Sequence, residues 1–315
     1  MKEFPFKKGI AKKPSEKRIK KFSSRKMKSF NVMLAYLTIP STRATRVIFF
    51  KFIHTVITRF FLIQYFQKIH FTKRPLKNVD HELDEKVPFR PEKIKIYMQF
   101  INIWIRPLVM TMRRYGIHEG SKLCAEFMKY INLIYNEAYA MYSISLTTTH
   151  RPKQNLTKAV KNVYKADPHF LCIPSLHIAI VCLCFSFYKM IFEREGFTKE
   201  ESENWFAELY HHAVEIGETV LYVKQHSVNC IPAALYMLTK VTPELFTEEM
   251  ALTFINDLFK TAEDVSPDDR KKITAHIESL YERFIKEGQN EHWSKPVARW
   301  LKEYVPYKSR SASLS

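Results

Sequence analysis

The sequence predicts an all-α protein built as a helical bundle, and three observations carry that expectation. Only 6 glycines occur in 315 residues, too few for a fold made of tight hairpins, whose turns need residues that tolerate positive φ. The apolar residues fall in long runs rather than in short alternating strands separated by turns. The hydrophobic fraction is 46% and the aromatic fraction 14%. That payload excludes disorder of the whole chain and suits either a water-soluble core or helices that face lipid.

Charge divides the chain. Residues 1–28 carry twelve Lys or Arg against two Glu, a net of +10 out of a total of +18, whereas the balance from 241 onward is slightly acidic. The first stretch is expected to be a basic flexible tail whose candidate partners are anionic lipid headgroups or nucleic acid. No aromatic-studded RNA motif or zinc-finger spacing accompanies it, so an anionic membrane surface ranks above nucleic acid. No compact apolar core with a small-residue cleavage site follows it, so it does not read as a secretory signal. Cys124, Cys172, Cys182, Cys184 and Cys230 are odd in number and apolar in context. They read as buried, reduced thiols rather than as disulfides or metal ligands.

Residues 29–94 read as amphipathic, membrane-seeking helices followed by a charged, proline-punctuated loop. Within them, 44–67 is almost all Phe, Ile, Val or Leu apart from Lys51, His54, Thr55, Thr58 and Arg59. At helical spacing this gives a wide apolar face with a narrow cationic stripe, which fits an interfacial helix or one buried on most sides. Residues 95–240 form the expected core: a helix bent by Pro107, a second over 121–146, a polar connection over 147–169, an uncharged run over 170–188, and one or two helices over 198–238. Thr242-Pro243-Glu244 and Ser266-Pro267-Asp268-Asp269 read as helix starts. They open a polar helical region over 241–304, and 305–315 reads as a loose end. Only 170–188 approaches the roughly 20 apolar residues of a spanning helix without a charge. Membrane association is therefore expected, with the number of spans open and the basic tail on the cytoplasmic side.

Two segments carry candidate chemistry. Cys172-Ile173-Pro174-Ser175-Leu176-His177 enters the apolar run with a cap residue, and the free N–H groups of a helix start bind anions. A histidine there can protonate a leaving group on a bound phosphate. In Tyr222-Val223-Lys224-Gln225-His226-Ser227-Val228-Asn229-Cys230, a lysine stands two residues ahead of a potential histidine nucleophile. Arg106-Pro107 adds an arginine in an apolar helix, costly unless it meets an anion. The adjacent His211 and His212 lack an obvious carboxylate partner and read as structural or surface residues.

In this order the three pieces resemble the motifs of the type 2 phosphatidic acid phosphatase superfamily. Pro174-Ser175-x-His177 is similar to its second motif. The stretch 219–234 is similar to the third, in the Lys-Gln-His variety of inositol phosphorylceramide synthase-like members, and Arg106-Pro107 looks like the end of the first. The resemblance covers roughly 95–240 and implies a six-helix core. It further implies metal-independent phosphoryl transfer without a cofactor, on a lipid phosphate or other phosphomonoester. His226 would become phosphohistidine, and His177 would protonate the leaving oxygen. Arg106, Ser175, Lys224 and backbone N–H groups near Ser175 would hold the phosphate. Two positions depart from the pattern: Gln99 stands where the first motif has lysine, and Cys230 where the third has the aspartate that orients the nucleophile. Asn229, Glu215 and Glu218 are weak substitutes. A catalytically degenerate relative that binds anionic lipid or a partner is the alternative.

Overall fold

The computed structural model describes residues 9–307. Helix accounts for 67% of the described residues and strand for 2%, so the protein is all-α as composition and patterning predict. The helices run in the order α1 (Glu16–Phe22), α2 (Met33–Thr38), α3 (Arg46–Val56), α4 (Leu62–Lys68), α5 (Ile94–Met98), α6 (Phe100–Tyr115), α7 (Ile117–Ile144), α8 (Lys158–Ala166), α9 (Leu176–Arg194), α10 (Lys199–Tyr222), α11 (Cys230–Val241), α12 (Glu248–Asp257), α13 (Pro267–Glu287) and α14 (Ser294–Glu303). A π-helical turn, Ile57–Phe61, joins α3 to α4.

At the centre lies α9. Nearly every residue from Leu176 to Tyr188 is buried, because α6, α7, α10 and α11 pack around it. Helices α6 and α7 approach closely at Gly120, where a Cβ would fall 2.6 Å from Met112 Cα. A buried ion pair fixes the far end of this layer. Arg114 donates from Nε and Nη2 to both carboxylate oxygens of Glu201, at 3.0 and 2.8 Å. The guanidinium also lies 3.8 Å from the centre of the Phe197 ring. Glu201 belongs in addition to a capping box with Thr198 at the start of α10, so one carboxylate ties α6 to α10 and closes a helix end.

Several expected boundaries shift. Residues 9–28, read as part of a flexible tail, are docked. Phe22 and Met27 are buried, the Trp205 indole N–H donates to Arg25 O at 2.7 Å, and the Met27 N–H donates to Glu208 at 2.9 Å. Charge count alone misses the apolar residues spaced through this stretch. Residues 1–8 and 308–315, the ends of the expected basic tail and loose end, lie outside the described residues. The polar C-terminal helices do not stand apart either, since Phe246, Phe254, Ile273, Ile277 and Phe284 share one core with α9 and α11. Ser266 caps α13 with Pro267 in its first turn, as expected. Thr242 instead closes α11 by donating to Leu238 O, and α12 is capped by Thr247.

Two short strands were not expected: β1 (Leu76–Asn78) pairs in parallel with β2 (Leu146–Thr148). The extended segment before α9 joins them through Thr147 N–H to Phe170 O at 2.9 Å and Cys172 N–H to Thr147 O at 3.3 Å. Three residues per strand are too few for a period-two pattern to register.

Among the described residues, two helical stretches are long and apolar enough to cross a membrane, 46–68 and 176–194. Of their apolar windows, 28% and 78% respectively are buried in the protein. The second is thus the core helix of the bundle, and the first lies at the surface. Its inner side packs on α7, with Phe52 and Phe60 against Tyr135. Val47, Phe50, Ile53, Ile57 and Phe61 form an exposed stripe at spacings of three and four.

Removing one partner of the Arg114–Glu201 pair leaves a buried charge uncompensated, which destabilises by roughly 3–5 kcal/mol. Glu201→Gln and Arg114→Met are each expected to lower the unfolding free energy by about that amount, measured by urea denaturation.

Candidate functional site

The local structure that carries His177 is fixed from three sides. Thr147 Oγ1 accepts from Ile173 N–H at 2.8 Å, and Tyr142 OH donates to Pro174 O at 2.8 Å. Pro174 follows a cis peptide bond. Ser175 is the N-cap of α9, its Oγ facing Ile178 N–H at 3.4 Å. The N–H groups of the first turn point beyond the helix end, as in any α-helix. Within that first turn, His177 packs against both Tyr97 and Phe100, with ring centres 4.7 and 4.6 Å away.

His226 arrives from the turn that ends α10, where the N–H groups of Gln225 and His226 both donate to Val220 O. Its Nε2 lies 3.3 Å from His177 Nδ1 and 3.2 Å from Ser175 Oγ. The two histidine motifs, 49 residues apart, therefore meet ring to ring. Both imidazoles titrate low. Burial pushes His177 down to about 4, and burial followed by the neighbouring His177 holds His226 well below the usual range. Both rings are neutral at pH 7, and His226 Nε2 can present its lone pair.

The other expected residues divide. Arg106 is half-buried in α6 and donates from Nη2 to Gln99 Oε1 at 3.4 Å. This joins the two ends of the first motif across two turns, though neither imidazole is a partner of Arg106. Lys224 is not brought to the histidines. Its backbone adopts φ 54°, and its ammonium group donates to the backbone carbonyls of Asp84 and Val87. There it lines a separate cavity of about 350 Å³ with Asp80, Asp84 and His150.

Cys230 is fully buried, with Sγ 3.4 Å from Ser227 N, and supplies no carboxylate to His226. The weak substitutes named above do not supply one either. Glu218 accepts from Phe259 N–H at 2.6 Å, Glu215 pairs with His212, and Asn229 donates to Val79 O while facing His276 at 2.8 Å. His226 Nδ1 is buried with no hydrogen-bond partner among the described residues. All five cysteines are buried and free.

His211 and His212 do have the carboxylate that adjacency obscured. Glu215 Oε2 sits 3.2 Å from His212 Nδ1, and the donor atoms of His211, His212 and Glu215 lie within 4.8 Å of one another.

Sequence reading missed a cluster beside the histidines. Arg151 donates to the Asp167 side chain at 2.7 Å and to Gln225 Oε1. Asp167 Oδ1 accepts from His169 N–H at 3.0 Å. The His169 ring in turn contacts Thr149 Oγ1 at 2.7 Å and Cys172 Sγ at 3.7 Å. The available signal was an Arg-Pro pair, Arg151-Pro152, matching Arg106-Pro107, together with Asp167-Pro168-His169 just ahead of the second motif.

Compared with known proteins, the chain matches no family model, no curated protein and no solved structure.

A histidine whose folded pKa lies below its unfolded value leaves the unfolded state with more bound protons, so its stabilisation is present above pH 6.5 and lost as pH falls towards 4. Nitrogen NMR is expected to show His177 neutral down to about pH 4. Between these limits, the unfolding free energy of His177→Gln should fall less steeply with acid than that of the wild type.

Proposed function

We propose that the protein is a histidine-dependent phosphatase or phosphotransferase acting on a phosphomonoester, with a lipid phosphate as the preferred class. We further propose that 95–240 corresponds to a six-helix core of the type 2 phosphatidic acid phosphatase kind. The observation that carries this reading is the approach of His226 Nε2 to His177 Nδ1 and Ser175 Oγ at 3.3 and 3.2 Å, in motifs that resemble that superfamily.

In the proposed reaction the His226 Nε2 lone pair forms a bond to phosphorus as the ester P–O bond breaks. The leaving alkoxide takes a proton from His177. Water or an alcohol then attacks phosphorus while giving its proton to His177, the P–N bond breaks, and phosphate or a new ester leaves. A phosphate dianion beside His177 opposes the effect of burial and raises the proton affinity of the ring, which supplies the acid the first step needs. Tyr97 and Phe100 cover His177 and so define the edge a substrate has to pass.

The alternative is a binding module for anionic lipid that retains the fold without turnover. It is favoured by His226 Nδ1, which no carboxylate holds. In serine proteases, losing the corresponding aspartate lowers turnover by about 10⁴. Phosphate release from phosphatidic acid and soluble phosphomonoesters without added metal separates the two. Turnover is expected in the wild type, lost in His226→Ala and raised in Cys230→Asp. No release by the wild type or by Cys230→Asp would leave the binding module.

Both readings invoke a membrane surface, supported by the exposed stripe Val47, Phe50, Ile53, Ile57 and Phe61. Burying one large apolar side chain stabilises by about 1.5–3 kcal/mol. The double variant Phe50→Glu/Ile57→Glu should therefore bind anionic vesicles at least about tenfold more weakly in a sedimentation assay.

A further inference from the structure

We infer that Arg151, Gln225 and Tyr164 form the cradle for the substrate's phosphoryl oxygens, in place of the cations expected from the motifs. The inference rests on the reading of His226 as the group that meets phosphorus. The expected cations are short at this site. Gln99 replaces a lysine, and Lys224 is engaged by two backbone carbonyls elsewhere. Phosphoryl transfer depends mostly on positioning and on neutralising charge, so a site with these departures needs donors from outside the motifs.

The structure gathers such donors around the residue next to the nucleophile. Arg151, with a side chain only 14% exposed, reaches Gln225 Oε1 through Nη2, and its guanidinium lies 4.5 Å from the centre of the Tyr164 ring. Asp167 occupies Nη1 through its carbonyl and Nη2 through its carboxylate, which fixes the plane of the fork. What remains is a set of buried polar atoms without a partner among the described residues: Arg151 Nε, Gln225 Nε2, Tyr164 OH and, on the adjoining residue, His226 Nδ1.

The first three are hydrogen donors, and Gln225 and Tyr164 each touch Arg151. Because Gln225 Oε1 must accept from Arg151, its amide N–H₂ is turned away from the guanidinium. Buried donors without acceptors are rare and costly, so three of them together call for an acceptor-rich guest. A phosphate monoester offers only acceptors once ionised, and the guanidinium, amide and phenol present cationic and neutral donors that suit it. The Arg151–Asp167 pair leaves little net charge, so selection rests on donor geometry more than on Coulomb attraction.

The test is the affinity for inorganic phosphate and for dioctanoyl phosphatidic acid, each titrated calorimetrically into the full chain. Gln225→Glu keeps an acceptor for Arg151 but removes the amide donors, and Tyr164→Phe keeps the ring. Arg151→Gln removes the charge but also exposes Asp167, so the first two variants guard against misfolding.

A hydrogen bond to an ionised phosphate is charge-assisted whichever donor makes it. Phosphate binding should therefore weaken at least about tenfold in each of Gln225→Glu, Arg151→Gln and Tyr164→Phe. Tighter binding of the lipid than of phosphate, with the same variant losses, assigns the cradle to a headgroup. Equal binding assigns it to phosphate alone. Phosphate affinity unchanged in all three variants, or no binding by the wild type, overturns the cradle. Absence of phosphate release with the variant losses intact defeats only the phosphoryl-transfer reading.

Discussion

The seating of one extended segment, 170–175, decides whether the two histidines can meet. Its backbone cannot satisfy itself, because it is neither helix nor part of a regular sheet, and it is almost wholly buried. Thr147 carries most of that load. Its N–H donates to Phe170 O, its carbonyl accepts from Cys172 N–H, and its hydroxyl accepts from Ile173 N–H. Tyr142 adds a bond to Pro174 O, and the buried Gln64 accepts from Phe170 N–H at 3.1 Å. Buried main-chain groups left unpaired are expensive. The segment therefore holds a single position, and Ser175 starts α9 where His226 can reach it.

The second histidine is placed by an independent device. Helix α10 ends in a turn that uses Val220 O twice and turns left-handed at Lys224. Asp84 accepts from Val228 N–H at 2.8 Å, and Asn229 reaches Val79 O at 3.0 Å. Thus the loop 79–87, which continues from β1, braces the nucleophile segment while β2 braces the other. A small parallel pairing couples both halves of the site, although the fold is otherwise helical. In this arrangement the low titration of both imidazoles follows first from burial, with His177 adding to the effect on His226 and His169 to the effect on both.

The surface position of α3 and α4 gives the chain a bare apolar face directly connected to this machinery. Gln64 and Tyr65 bond to Phe170 N–H and Ala166 O, at 3.1 and 2.8 Å. The helix that faces outward thus holds the segment leading to the second motif. Arg59 turns back onto α7, where it donates to Asn136 Oδ1. Its guanidinium also lies over the Tyr139 ring at 5.2 Å.

Much of the helical fold was legible from the sequence, because periodicity and caps report local choices. Glycine scarcity, the apolar runs and the Ser266-Pro267 start fix helices through propensity and capping, which act within a few residues. The two histidine motifs were legible for the same reason, as each is a contiguous string. Tertiary structure alone decided their meeting at 3.3 Å, the turning of Lys224 towards Asp84 and Val87, the docking of residues 9–28 and the gathering of Arg151, Gln225 and Tyr164. Those outcomes depend on which buried donors find acceptors across tens to hundreds of residues. Periodicity states only which face of an element is apolar, and is silent on what that face will meet.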